Sequence, residues 1–181
     1  MAQLNADPEF VKRRADRDAA LEKWSKRLRT EEEPLLADLR KVGWEVTSAW
    51  ELVKTSTPYP EALPVLLSHL SRPYSTRIRE GIARAMAVRD ACIYWSTLRD
   101  LFTREKEKEV RDALAVVLSA ASNGSLITQL AELAKDPANG SSRLLLLRGL
   151  RRSKSPTARE TLAELANDPA LAKEISSWRK E

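Results

Sequence analysis

The sequence predicts an all-α fold: an α-solenoid, a stack of antiparallel helix pairs with capping helices at its N-terminal end. Three observations predict it. Leu66, Leu98, Leu130 and Leu162 stand at intervals of 32, and so do Leu70, Phe102, Ala134 and Ala166. Further along each unit Ile82, Leu114 and Leu146 keep the register, followed by Met86, Leu118 and Leu150. The helix breakers keep it too, since Asp136-Pro137 returns as Asp168-Pro169. A fixed period of this length marks stacked supersecondary units, each too small to bury its apolar face alone.

The elements follow in order. Residues 8–29 carry Leu21, Trp24 and Leu28 at i, i+3 and i+7, a narrow apolar stripe on a charged helix. That stripe should pack on a neighbour, most simply the first repeat. Thr30 followed by Glu31, Glu32, Glu33 and Pro34 reads as a new helix start, with a capping hydroxyl, acids near the positive pole and proline in the first turn. Leu35, Leu36 and Leu39 give that second helix a core face, and Gly43 ends it. A short third helix holds Trp50, Leu52 and Val53 and stops near Thr55. Residues 1–57 thus form a basic helix and a degenerate capping pair.

Residues 58–181 hold four repeats, continuous with the cap as one domain. Unit one has an A helix over 61–70, a turn at Arg72-Pro73-Tyr74 and a B helix over 76–87. Unit two spans 91–102 and 107–121. Unit three runs to Lys135, turns at Asp136-Pro137-Ala138-Asn139-Gly140 and continues over 141–152. Unit four opens at Ser155-Pro156, where serine can cap and proline suits the first turn. It breaks at Asp168-Pro169 and closes with a helix to about Lys180. Recurring apolar positions lie four apart, so each set shares one helical face, the core face. The register also assigns Trp95 and Trp178 to the core; Tyr59 and Tyr74, in turns beside prolines, are expected to be partly exposed.

Two-helix units of this length, with an apolar-Arg pair opening the B helix, resemble the HEAT-repeat family over residues 59–181. The pairs are Ile78-Arg79, Val110-Arg111 and the weaker Ser142-Arg143; Leu98/Leu101, Leu130/Leu133 and Leu162/Leu165 add Leu-x-x-Leu spacing to the A helices. The last unit lacks the pair. The resemblance implies a right-handed solenoid that serves as a scaffold for proteins or nucleic acids. Neither the tetratricopeptide nor the ankyrin signature occurs at period.

Composition narrows function. At 31% charged and 43% apolar, with scarce glycine, the chain is suited to helices and to a packed core. No apolar run reaches the roughly 18–20 residues of a membrane span. The first eight residues lack a basic lead before an apolar stretch, and Cys92 is the only cysteine, so a cytoplasmic protein is expected. His69 is the sole histidine, Cys92 has no second cysteine at ligand spacing, and no glycine-rich phosphate loop occurs. The expectation is a non-enzymatic protein with no cofactor and no metal.

Charge is uneven. Between Lys12 and Arg29 eight basic residues face three acids, a local net charge of +5, and residues 143–159 contain no acid. Such patches invite an acidic partner. On the B helix of unit three, Leu144, Arg148, Arg151 and Arg152 fall opposite the inward Leu146 and Leu150. With Arg84 of unit one, they are the expected partner-binding residues. Unit two presents Asp112, Val116, Ser119 and Ala120 there. A phosphate-tracking groove would carry a cation in every unit, so the expected partner is a protein with an acidic, partly apolar surface. The alternative is nucleic acid, bound through Lys12, Arg13, Arg14, Arg17 and Arg27 and through the basic third repeat, since HEAT-like stacks also occur in DNA glycosylases of the alkyl-purine type. No carboxylate-aromatic constellation of those enzymes is recognisable by motif.

Overall fold

The computed structural model describes residues 8–178, and among them every regular element is helical. In chain order these are α1 (Pro8–Lys41), α2 (Ala49–Leu52), α3 (Ala62–Leu70), α4 (Thr76–Ala85), α5 (Trp95–Arg104), α6 (Lys108–Ala121), α7 (Ile127–Lys135), α8 (Arg143–Arg152), α9 (Pro156–Leu165) and α10 (Ala172–Ser177). Two 3-10 stretches, Arg89–Tyr94 and Pro137–Ser142, lead into α5 and α8. Within a unit α3 packs on α4, α5 on α6, α7 on α8 and α9 on α10; between units α4 packs on α6 and α6 on α8. The 32-residue register is the reason. Ile82, Leu114 and Leu146 are fully buried, as are Met86, Leu118 and Leu150, so each B helix offers its neighbours the same apolar ridge.

Gly149 shows how closely these helices approach. A methyl group there would stand 2.6 Å from Leu130 Cδ2 and 3.0 Å from the Ser119 carbonyl, so only glycine lets α8 settle on α6 and α7.

A row of arginines ties successive units together. Arg79 donates from Nε to the Leu70 carbonyl at 3.4 Å and ion-pairs with Glu105. Arg143 donates from Nε to the Ala134 carbonyl and from Nη2 to Asp168, both at 2.7 Å. Arg111, between them, lies 5.3 Å from the centre of the Phe102 ring and donates to Ala138 O and Asn139 Oδ1, both at 3.0 Å. Leu70, Phe102 and Ala134 share one register position. Each guanidinium therefore reaches back to the end of its own A helix and forward to the inter-helix turn of the next unit. Orphan carbonyls at a helix end gain a donor, and the next unit is fixed in register.

Several expectations need correction. Residues 8–41 form one helix without a break at Thr30. Pro34 sits inside it, and the Thr30 hydroxyl donates to the Lys26 carbonyl rather than capping a new start. Glu31 and Glu32 do serve helix N-termini, but those of other helices. Glu31 accepts from the backbone N–H of Ser75, which precedes α4, and Glu32 accepts from Ala49 N at 2.7 Å and Ser48 Oγ at 3.1 Å, at the start of α2. Burial pushes the Glu32 carboxyl above its ordinary pKa, against the lowering effect of those two donors. Gly43 ends α1 as expected, at φ 91°, with Gly43 N donating to Arg40 O and Trp44 N to Leu39 O. That hydrogen-bond pair is a Schellman closure, which requires a left-handed residue at Gly43.

The stripe of α1 does not pack on the first repeat over its whole length. Leu35, Leu36 and Leu39 are buried and α1 lies on α3, but Leu21 is 55% and Trp24 51% exposed. The helix overhangs the body. Tyr59, expected to be partly exposed, is buried; its hydroxyl donates to Ala85 O at 2.7 Å and Trp44 meets its ring edge-on. In the last unit Leu162 and Ala166 are only half-buried, whereas Ala158, Thr161 and Leu165 are buried. With no unit beyond it among the described residues, α9 has turned to bury the face that meets α7 and α8.

Candidate partner-binding face

Helix α8 starts after the 3-10 stretch, where Gly140 adopts φ 55° and redirects the chain. Its Leu146, Leu147, Gly149 and Leu150 face inward, which leaves Arg148, Arg151 and Arg152 exposed along the outer edge. Across from them stands α10, anchored by buried Ile175, with Glu174, Ser177 and Trp178 turned toward α8. Together the three arginines and those three residues line an open cleft of about 630 Å³.

The arginines differ in how tightly they are held. Arg152 donates from Nη2 to the Ser119 carbonyl of α6. The Arg151 guanidinium lies 4.9 Å from the centre of the Trp178 ring, within cation–π range. Arg148 makes no hydrogen bond or ion pair among the described residues. Arg152 also lines a second hollow of about 440 Å³ with Arg89, Asn123, Ser153 and Lys154. The basic surface thus runs from α8 round to the turn before α9. Arg143, although within the acid-free stretch, belongs elsewhere: it is 4% exposed and committed to Ala134 and Asp168. The Asp168 carboxyl is held below its ordinary pKa, first by the Ala170 backbone N–H and then by Arg143.

Other residues singled out in the sequence lie apart from the cleft. Leu144 is half-buried against the core and does not line it. Arg84 occupies the register position of Val116 and Arg148, two B helices away, and pairs with Glu80 at 3.7 Å. Lys12, Arg13, Arg14, Arg17 and Arg27 are all exposed on the overhang of α1, with Arg17 3.5 Å and Arg14 3.9 Å from Asp18. His69 is fully buried and uses both ring nitrogens, Nε2 toward Asp38 Oδ2 at 2.9 Å and Nδ1 toward the Tyr74 hydroxyl at 2.7 Å. It ties α1, α3 and the following turn together. Cys92 is half-buried and unbonded to any other cysteine.

Trp178 is the residue that register reasoning placed only in part: it packs against the core cluster with one side. The 32-residue period aligns it with the buried Leu114 and Leu146, yet it is half-buried and forms a wall of the cleft. The signal available was its place in the array: among the described residues no B helix follows α10 to cover an apolar ridge position there. The same reasoning would have found the other cleft, of about 850 Å³, where Trp24, Arg27 and Leu28 of α1 face Pro73 and Tyr74.

No protein-family model, curated protein or solved structure matches the chain.

Proposed function

We propose that the chain is a HEAT-like, right-handed α-solenoid that works as a non-enzymatic cytoplasmic scaffold and binds a protein partner. The α8–α10 cleft is its contact surface. The observation that carries this reading is that Arg148, Arg151 and Arg152 line one open cleft with Trp178, whose ring lies 4.9 Å from the Arg151 guanidinium, and with Glu174 as the one acid among its described lining residues. Guanidinium forks suit carboxylates, and an indole gives apolar area with little entropy to lose. An acidic segment with an apolar residue beside its carboxylates fits both. The arginine row and the packing of α4, α6 and α8 support the solenoid reading.

Nucleic acid is the weaker reading because cations do not continue along the B helices. Arg84 is paired with Glu80, and the next unit offers Val116 and Ala120. The test compares the full chain with Arg148→Ala/Arg151→Ala. Affinity capture from native cytosol after nuclease treatment should yield a protein that the double variant no longer retains, at unchanged melting temperature. Equal retention by the variant, or capture abolished by nuclease, would reject the proposal. A steep fall of duplex binding with salt would establish the alternative.

A further inference from the structure

The overhang of α1 carries an apolar stripe that the rest of the molecule leaves uncovered. Leu21, Leu28 and Leu35 are seven apart, Phe10 and Leu21 eleven apart, as are Leu28 and Leu39. At 3.6 residues per turn these lie on one side of the helix. The stripe that buries Leu35 and Leu39 therefore runs on to Leu28, Trp24 and Leu21, and beyond Leu21 the same side carries Arg17 and Arg14 before Phe10. Two of these, Leu21 and Trp24, are more than half exposed. Where α1 leaves the body, Trp24 and Leu28 form one wall of the 850 Å³ cleft and Pro73 and Tyr74 the other.

The charge beside the stripe is predominantly positive; of the acids at its edges, Asp18 already pairs with Arg14 and Arg17, and Glu31 with the Ser75 N–H. Arg13 and Arg27 flank it on one edge and Arg29 on the other. These three, with Lys12 and Lys23, have no carboxylate within ion-pair distance among the described residues, whereas Lys26 pairs with Glu22 at 2.8 Å.

We infer that the overhang of α1 is a second docking surface, separate from the α8–α10 cleft, and that it receives an acidic amphipathic helix of a partner protein. Such a helix lays its apolar face along Leu21, Trp24 and Leu28 and enters the cleft against Pro73 and Tyr74, with its carboxylates on Arg13, Arg27 and Arg29. A second copy of this chain is disfavoured by like charge. Its only acidic run near the stripe is already occupied, Glu31 on Ser75, Glu32 on Ser48 and Ala49, and Glu33 on Arg40. A lipid surface cannot follow the stripe into a cleft walled by the body, and a phosphate backbone would satisfy the cations while leaving the aliphatic stripe wet.

The probe is a synthetic helix-forming peptide of about three heptads with Leu at a and d and Glu at the outward positions. It is titrated against the full chain, with a Lys-for-Glu version, phosphatidylserine vesicles and a short DNA duplex as comparisons. The acidic peptide should bind and the basic one should not. Leu21→Ala/Trp24→Ala should weaken the peptide at least about tenfold, as for a central aromatic anchor. Both side chains are exposed, so circular dichroism and melting temperature should not change. Arg148→Ala/Arg151→Ala should leave this binding intact, which separates failure here from failure of the α8–α10 assignment. Absence of peptide binding, binding indifferent to Leu21→Ala/Trp24→Ala, or binding lost in the α8 variant would each overturn the inference. So would vesicles or duplex that bind more tightly than the peptide.

Discussion

Arg143 shows how one side chain can hold two units. Its Nε caps a carbonyl of α7 and its Nη2 pairs with Asp168, from a position almost wholly shielded from solvent. Truncation would leave the Ala134 carbonyl without that donor and would empty the space filled by the guanidinium. Arg143→Ala should cost about 2 kcal/mol, read as a lower denaturant midpoint. Arg148→Ala, a few residues away and exposed, should cost less than about 0.5 kcal/mol. Asp38 provides the pH-dependent counterpart. Its hydrogen bonds with Lys41 first and His69 second hold its carboxyl down from 3.8 to about 2. A depressed folded-state pKa contributes stability that is present above 3.8 and is lost as pH falls toward 2. Acid unfolding of the full chain should therefore be less steep between pH 4 and about 2 in Asp38→Asn, followed by circular dichroism. A slope identical to the parent would contradict that role.

At the scale of elements, the helices of the three inner pairs were legible because periodicity and local breakers agree. Leu-rich ridges recur at one register, and Asp-Pro or Asn-Gly turns separate them, so α3 to α8 fall within a few residues of their expected limits. The stretch from Thr30 to Pro34 was misread because its local chemistry is that of an N-terminus. What keeps α1 continuous is tertiary: Leu28, Leu35 and Leu39 need one face, and Glu31 and Glu32 find their amide partners on α4 and α2. No local pattern contains those distant N–H groups. The candidate cleft was legible in part for a similar reason. Arg148, Arg151 and Arg152 follow from the helical period, but Trp178 joins them only because α10 folds back beside α8. The exposed half of α1 also has a measurable consequence. A chain beginning at Lys26 should melt within about 2 °C of the full chain, since almost no buried surface is removed.

Across the whole molecule, buried apolar residues form one continuous cluster from Leu35 to Ile175, without a gap between units. Its two ends are unlike each other. The N-terminal end is closed by a long helix whose carboxylates cap two others, and the C-terminal end by short helices that bury little. The row of Arg79, Arg111 and Arg143 is also directional, because the arginine of each pair grips the turn of the next. Arg79 reaches to unit two, Arg111 to unit three and Arg143 to unit four.

That polarity gives the arginine row a last member, Arg143. Asp168 receives the final grip, and the fourth unit carries no arginine at the corresponding place with which to hold a successor. Growth of the stack by duplication would therefore have to occur upstream of residue 155, where each inserted copy brings both a hand and a handle. Copies added after α10 would bring a handle that nothing grasps.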